Sequence, residues 1–513
     1  MANQSVFSTP TAARTGMTSQ TLARDFTASI VVFLVAMPLC MGIAIASGVP
    51  PEKGLITGII GGIVVGALAG SPLQVSGPAA GLAVIVFELV REHGLVGLAP
   101  ILVLAGLIQF AAGIFRLGGW FRAISPAVVH GMLAGIGALI VIGQFHVLFD
   151  ARPLSSGLEN LAAMPGRVLG ISFASMAAAE MALAVGVMTI VAMIGWEKLR
   201  PASLKLVPGA LVGVLAGTFL AFGLSLDVTK VEVPASIAAA VTLPGDGFLG
   251  MMTSPAIIAT ALAIAFIASA ETLLSAAAVD RMHDGIRTDY DKELRAQGVG
   301  NLLCGLAGAL PMTGVIVRSS ANVQAGAMTR LSAMLHGVWI LGFVALLPWL
   351  LREIPMAALG AILVVTGWRL VSLSHVRHLF HRHGILPAFI WAATFVMVVA
   401  TDLLTGVLVG LGLSLLELIP NLRNLGLKVD ADHGELESRL ALDGAATFVT
   451  LPKLNRALDA MPEDRPLRIE MQKVRAVDHT VAEMLTDWLA RKRERGMRIE
   501  LAGSERTLAK LQH

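Results

Sequence analysis

Two ionisable residues stand in stretches that otherwise read as compatible with lipid: Glu271, in the middle of the apolar run 256–279, and Arg318, inside the run 313–326. An ionised side chain within a membrane costs several kcal/mol unless it faces a cavity or a partner, so each is a functional candidate by default. A buried carboxylate must be protonated, paired or bound to a cation. For Glu271 the options are a proton, an ion pair with Arg318, or a cation such as Na+. Ser275 lies four residues on and shares its helical face. The chemistry expected of such residues is ion binding and movement, so the chain is not expected to be an enzyme, and no cofactor is implied.

The second set of chemically competent groups is backbone. Residues 71–81 (SPLQVSGPAAG) and 308–318 (GALPMTGVIVR) are rich in Gly and Pro and precede apolar segments too broken to span as regular helices. Interrupted helices at matching places in two halves of a transporter point to inverted repeats with a binding site near the bilayer midplane. A helix N-terminus offers unpaired N–H groups and the positive end of the dipole, which suits an anion. If the two half-helices meet head to head, the amides near Gly77, Pro78, Ala79 and Ala80 and near Gly314, Val315, Val317 and Arg318 point at one shared spot. Pro78 fits as a first-turn proline, which gives up a donor the helix would not use. Gly77 and Gly314 let the backbone come close to an ion. Leu39 and Cys40, in the first segment, complete the candidate substrate-binding set.

These residues need a membrane scaffold, and composition supplies one. Of 513 residues, 55% are hydrophobic and only 14% charged, against about 25% charged in an ordinary soluble domain. Apolar runs long enough to cross the hydrocarbon layer recur from about residue 26 to Pro420, in about fourteen segments. They divide into a first repeat over 26–225, an extracytoplasmic connection over 226–254 and a second repeat over 255–422, after a polar N-terminal tail over 1–25. Basic residues gather in loops that lie on one side if both termini are cytoplasmic, the sense expected of the positive-inside rule. The expected location is the inner (plasma) membrane, multi-pass.

Other candidates read more plainly. The cysteines, Cys40 and Cys304, lie in apolar segments and imply neither a disulfide framework nor a metal site. His375, His378, His381 and His383 share a loop with Arg377 and Arg382, read as a basic loop facing anionic lipid. Lysines and arginines are scattered, which argues against nucleic-acid binding. After Pro420 the pattern changes to a small α/β domain over 436–513. Strands are expected at 436–442, 447–451, 467–474 and 497–502, with helices at 453–461 and 480–495. A soluble domain of this kind is expected to stay outside the transport pathway.

Five stretches carry a family resemblance: MPLCMGIAIASGVPP (37–51), SPLQVSGPA (71–79), ETLLSAAAVD (271–280), TGVIVRSSAN (313–322) and IPMAAL (354–359). Together they resemble the SulP anion permeases, also called solute carrier family 26, in order and over nearly the whole chain. The resemblance implies an α-helical polytopic membrane protein with 14 transmembrane segments in two inverted repeats of seven, a core domain sliding against a gate domain, and a C-terminal STAS domain. It implies that Arg318 supports the anion site with positive charge. It also associates the acidic position of Glu271 with cation coupling, where Ser275 and Thr313 are grouped with it. Leu39 stands where many relatives have glutamine. The STAS likeness rests on VDHT (477–480) before an amphipathic helix, with Val481 where the pattern usually has glycine. Asp478 and Thr480 are its candidate residues, either as a helix cap or as a nucleotide or phosphorylation site. The expected function is secondary transport of a small inorganic or organic anion (sulfate, bicarbonate or a dicarboxylate) by alternating access, coupled to H+ or Na+, in a homodimer embedded in the lipid bilayer. The alternative is an anion channel or membrane sensor.

Overall fold

The computed structural model describes residues 18–508 except 122–124, 155, 172–176, 233–236, 281, 284, 372–384, 417–425, 434–436, 448–449, 463–464, 495 and 505–506. The histidine loop lies outside the described residues. Among the described residues, six helical runs are long and apolar enough to cross a membrane, and five shorter apolar helices of 10–17 residues accompany them.

The first half holds α1 (Ser19–Ala46), α2 (Pro51–Ile60), β1 (Ser76–Pro78), α3 (Ala83–Ile114), α4 (Pro126–Val147), α5 (Gly157–Leu169), α6 (Ala178–Leu199) and α7 (Gly209–Gly223). The second half holds α8 (Pro255–Asp280), α9 (Tyr290–Leu306), β2 (Met312–Gly314), α10 (Ile316–Gln324), α11 (Leu331–Leu346), α12 (Met356–Val371), α13 (Ile385–Ala400) and α14 (Leu403–Leu416). Two expected segments, starting near Pro78 and Pro100, belong to one helical run. It breaks at Gly94, whose φ of 66° lies in the left-handed region that glycine enters without steric cost. The amphipathic helix α5 is an addition to the sequence reading, because its polar residues hide it among the apolar runs.

Packing sorts the helices into two groups. One comprises α1–α3 with α8–α11, and the other α4, α6 and α7 with α12–α14. Each group draws on both halves of the chain. Where α3 meets α9, a β-carbon on Gly106 would lie 2.5 Å from Leu302 N, and one on Gly298 would lie 2.5 Å from Phe110 N. Only glycine permits this backbone-to-backbone approach, the form of packing that drives helix association where lipid gives no hydrophobic incentive.

The C-terminal domain is a four-stranded sheet in the order β3 (Leu427–His433), β4 (Ser438–Ala446), β5 (Leu467–Val477), β6 (Ile499–Gly503). Strands β3 and β4 are antiparallel and the other pairs parallel. Helices α15 (Leu451–Asp459) and α16 (His479–Glu494) bury Leu454, Leu458, Val481 and Leu485 with Ile469 and Met471. Of the strand expected at 447–451, the described residues Thr447, Thr450 and Leu451 are not in a strand. Thr450 Oγ1 accepts from Thr447 N at 3.0 Å and starts the turn into α15, a local bond that competes with strand pairing. The sheet begins instead at Leu427.

Candidate functional site

The extended stretches flanking the two interrupted helices cross and pair. β1 runs antiparallel to β2, with Ser76 opposite Gly314, Gly77 opposite Thr313 and Pro78 opposite Met312. Ala79 N donates to Pro311 O at 3.2 Å and Val315 N to Val75 O at 2.9 Å, which extends the ladder at both ends. Irregular backbone is tolerated at membrane depth only when protein satisfies its polar groups, and here each strand satisfies the other.

Each strand then runs into a helix start. Ala79 is extended before the short 3-10 turn Ala80–Leu82 that leads into α3, and Val315 is extended before α10. Neither start carries a side-chain cap. The positive ends of two dipoles therefore lie next to one crossing, without the Ser, Thr, Asp or Asn that ordinarily satisfies them.

Arg318, in the first turn of α10, is fully buried. Its guanidinium lies on Gly77 of the opposing strand, where a β-carbon would sit 2.0 Å from Nη1. The thiol of Cys40 is its neighbour. Among the described residues no oxygen accepts from its three side-chain nitrogens, and the Cys40 thiol is the polar group beside them. Glu271, on α8, presses against Gly81, where a β-carbon would sit 2.8 Å from Oε2, and Thr313 is beside it. Its Oε2 is enclosed and without a hydrogen-bond partner. Among the ion pairs of the described residues, none joins Glu271 to Arg318. The two side chains come from different helices, α8 and α10, and approach the same strand-to-helix segment at Gly81 and Gly77.

A cavity of about 260 Å³ opens beside both. Leu39, Ala80, Val315, Val317 and Arg318 of the candidate substrate set line it, as do Glu271 and Ser275. Across from them stand His130 and Met132 of α4 and Leu363 and Thr366 of α12, so the two helix groups meet at this space. Cys40, Gly77, Pro78, Ala79 and Gly314 lie behind the wall, in or against the strand crossing, and Thr313 is there too. From the C-terminal domain, Leu451, Asn455, Thr480 and Met484 also line this cavity. Asp478 Oδ1 accepts from Val481 N at 2.8 Å, which is the capping geometry, while Thr480 is buried.

Sequence reasoning missed the neutral side chains that brace the crossing. Thr272 Oγ1 accepts from Gly314 N at 3.1 Å, and Gln74 Nε2 donates to Thr272 O at 3.0 Å. Ser319 Oγ accepts from Val75 N at 2.9 Å, and Asn322 Nδ2 donates to Leu73 O at 3.0 Å. The one available signal was the density of Ser, Thr, Asn and Gln in apolar runs, which is costly in lipid unless it is bonded.

Comparison with known proteins fits this arrangement. The family model described as the sulfate permease family matches residues 22–394, and a STAS domain model matches residues 429–513. A putative sulfate transporter of Bacillus subtilis, YvdB, is 28% identical over 97% of this chain and 94% of its own length. The bicarbonate transporter BicA of Picosynechococcus is 25% identical over 78% of this chain and 71% of its own. Among solved structures, the transmembrane domain of a cyanobacterial BicA superposes with a TM-score of 0.64, covering 76% of this chain and 98% of that one at 24% identity. SLC26A9 superposes with a TM-score of 0.68, covering 96% and 86% at 15% identity, a likeness of fold. The chain is a multi-pass membrane protein with a C-terminal STAS domain, and it belongs to the sulfate permease family, whose members are transporters and not enzymes.

Proposed function

We propose that this chain is a secondary transporter that moves sulfate or bicarbonate, or a dicarboxylate of similar charge, by alternating access. The observation that carries the reading is the Arg318 guanidinium, buried and with no oxygen acceptor among the described residues, at the head of α10 beside a second uncapped helix start. A buried cation without a partner is costly. An oxyanion in the cavity relieves that cost by accepting from the guanidinium and from free helix amides. The names of the relatives support the choice of anion.

Alternating access is supported by the position of the cavity, between two helix groups that each draw on both repeats (26–225 and 255–422) across the connection 226–254. Glu271 with Ser275 and Thr313 is the proposed coupling site for H+ or Na+, because its carboxylate sits at the α3 start, where its charge state and the anion's presence influence each other. Both termini are proposed to be cytoplasmic, in the inner membrane, and the protein to be a homodimer.

The test is reconstitution into liposomes with uptake of labelled sulfate, bicarbonate and fumarate under imposed H+ and Na+ gradients. Saturable, gradient-dependent uptake is expected. Ohmic anion current instead would make the protein a channel, and the absence of any anion movement would overturn the reading.

A further inference from the structure

Helix α9 contributes nothing to the cavity wall, yet it carries three fully buried polar side chains at a spacing of four: Glu293, Gln297 and Asn301. That spacing puts all three on one face. Each reaches the irregular segments that lead to the helix starts, Glu293 and Asn301 through backbone groups and Gln297 through the Ser76 hydroxyl. Glu293 Oε2 accepts from Gly70 N at 2.8 Å and from Ser71 N at 2.9 Å, fixing the approach to β1. Gln297 Nε2 donates to Ser76 Oγ at 2.6 Å, within β1, and to Glu293 Oε1 at 3.0 Å. Asn301 brackets a single residue of β2, accepting from Met312 N at 2.7 Å and donating to Met312 O at 3.1 Å.

We propose that Glu293, Gln297 and Asn301 form a ladder that positions both helix starts of the anion site against one rigid helix. The inference rests on the anion-transport reading. Two strands of three residues have few mutual bonds, and a pair so short is marginal alone. Burial makes each ladder bond costly to lose, since a stranded polar group in an apolar interior has no water to turn to. The consequence is that β1 and β2, which come from different repeats, share one reference frame. The distance between the α3 start and Arg318 is then set by α9 and not by the strands themselves.

The experiment uses the full chain in liposomes, with labelled sulfate and labelled bicarbonate as probes, alongside hydrogen–deuterium exchange. Gln297→Met removes the link to β1, and Ser76→Ala removes the same link from the other side with little change in packing. A packing role would lower the yield of folded protein and the maximal rate while leaving half-saturation alone. A positioning role raises the half-saturating concentration of the folded protein about tenfold for Gln297→Met and about threefold for Ser76→Ala, whatever the fall in thermal midpoint. Gln297→Glu, which sets two carboxylates together, should lose affinity, and adding Glu293→Gln should restore it by re-forming the donor–acceptor pair. Exchange reads the positioning without any substrate: amides in 72–82 and 310–318 should exchange faster together in both link variants. If wild type moves neither anion, the transport reading fails, and the exchange result still decides the ladder. Unchanged exchange at 310–318 in folded Gln297→Met, or unchanged half-saturation in Ser76→Ala, would overturn the inference.

Discussion

The two helix starts at the centre of the molecule share a geometry and differ in charge. Both follow a three-residue strand, both begin after an extended residue and both lack a side-chain cap. At α3 the neighbour is a carboxyl group, Glu271 against Gly81, while α10 carries a guanidinium in its own first turn, Arg318, which reaches across to Gly77. A scaffold built from two related halves thus acquires polarity by drawing an acidic side chain and a basic one to the same crossing. In the proposed function the basic group holds the anion, and the acidic one makes that hold depend on a proton or cation.

The strongest way to break this comparison is to remove the space that lets Arg318 cross to the opposing strand. Gly77→Val puts its branch where Nη1 lies, 2.0 Å from a β-carbon, and is expected to weaken sulfate binding about 100-fold, nearly 3 kcal/mol. Equilibrium binding to the folded fraction checks it, and unaltered affinity would show that Arg318 has other room. Arg318→Ala should weaken binding less, about tenfold, because the helix amides remain. Its thermal midpoint should hold; a collapse in folding with normal affinity in the surviving protein would make the residue structural.

Glu271→Gln sharpens the other side. It keeps size and hydrogen bonding while removing ionisation, so stimulation by an H+ or Na+ gradient should vanish while anion exchange stays within about threefold of wild type. Equal stimulation in both proteins would erase the functional difference between the two starts. The smallest effect is expected from truncation after residue 425. None of the lost residues belongs to the strand crossing or to either helix start, so affinity should change by no more than about twofold, measured by sulfate binding to the purified truncated protein.

Much of this arrangement was legible in the chain because its signals are local. Gly and Pro punctuate 71–81 and 308–318, and Arg318 and Glu271 stand out against apolar neighbours. What could not be read is what depends on distant pairing. Val75 and Ser319 are 244 residues apart yet bonded, and nothing in either stretch names the other. Thr272, Gln297 and Asn301 are neutral residues whose importance lies wholly in which group of the crossing they meet. In the C-terminal domain, the β-branched residues of 447–451 suggested a strand, but the hydroxyl of Thr450 turns the chain first. The strand Leu427–His433 was missed because its alternation is carried by small and medium side chains between charges.

The crossing of β1 and β2 also dictates an order of events at the ribosome. When the first repeat enters the bilayer, the backbone from Gly70 to Ala79 lacks the partners it will take from the second repeat, since Met312–Gly314, Ser319 and the face of α9 have not been made. That segment must wait, shielded by water or by the insertion machinery, until translation has passed Ser319. The crossing therefore closes only when the second repeat is under way, and a nascent chain halted before Met312 would hold the helices of the first repeat without the second strand of the crossing.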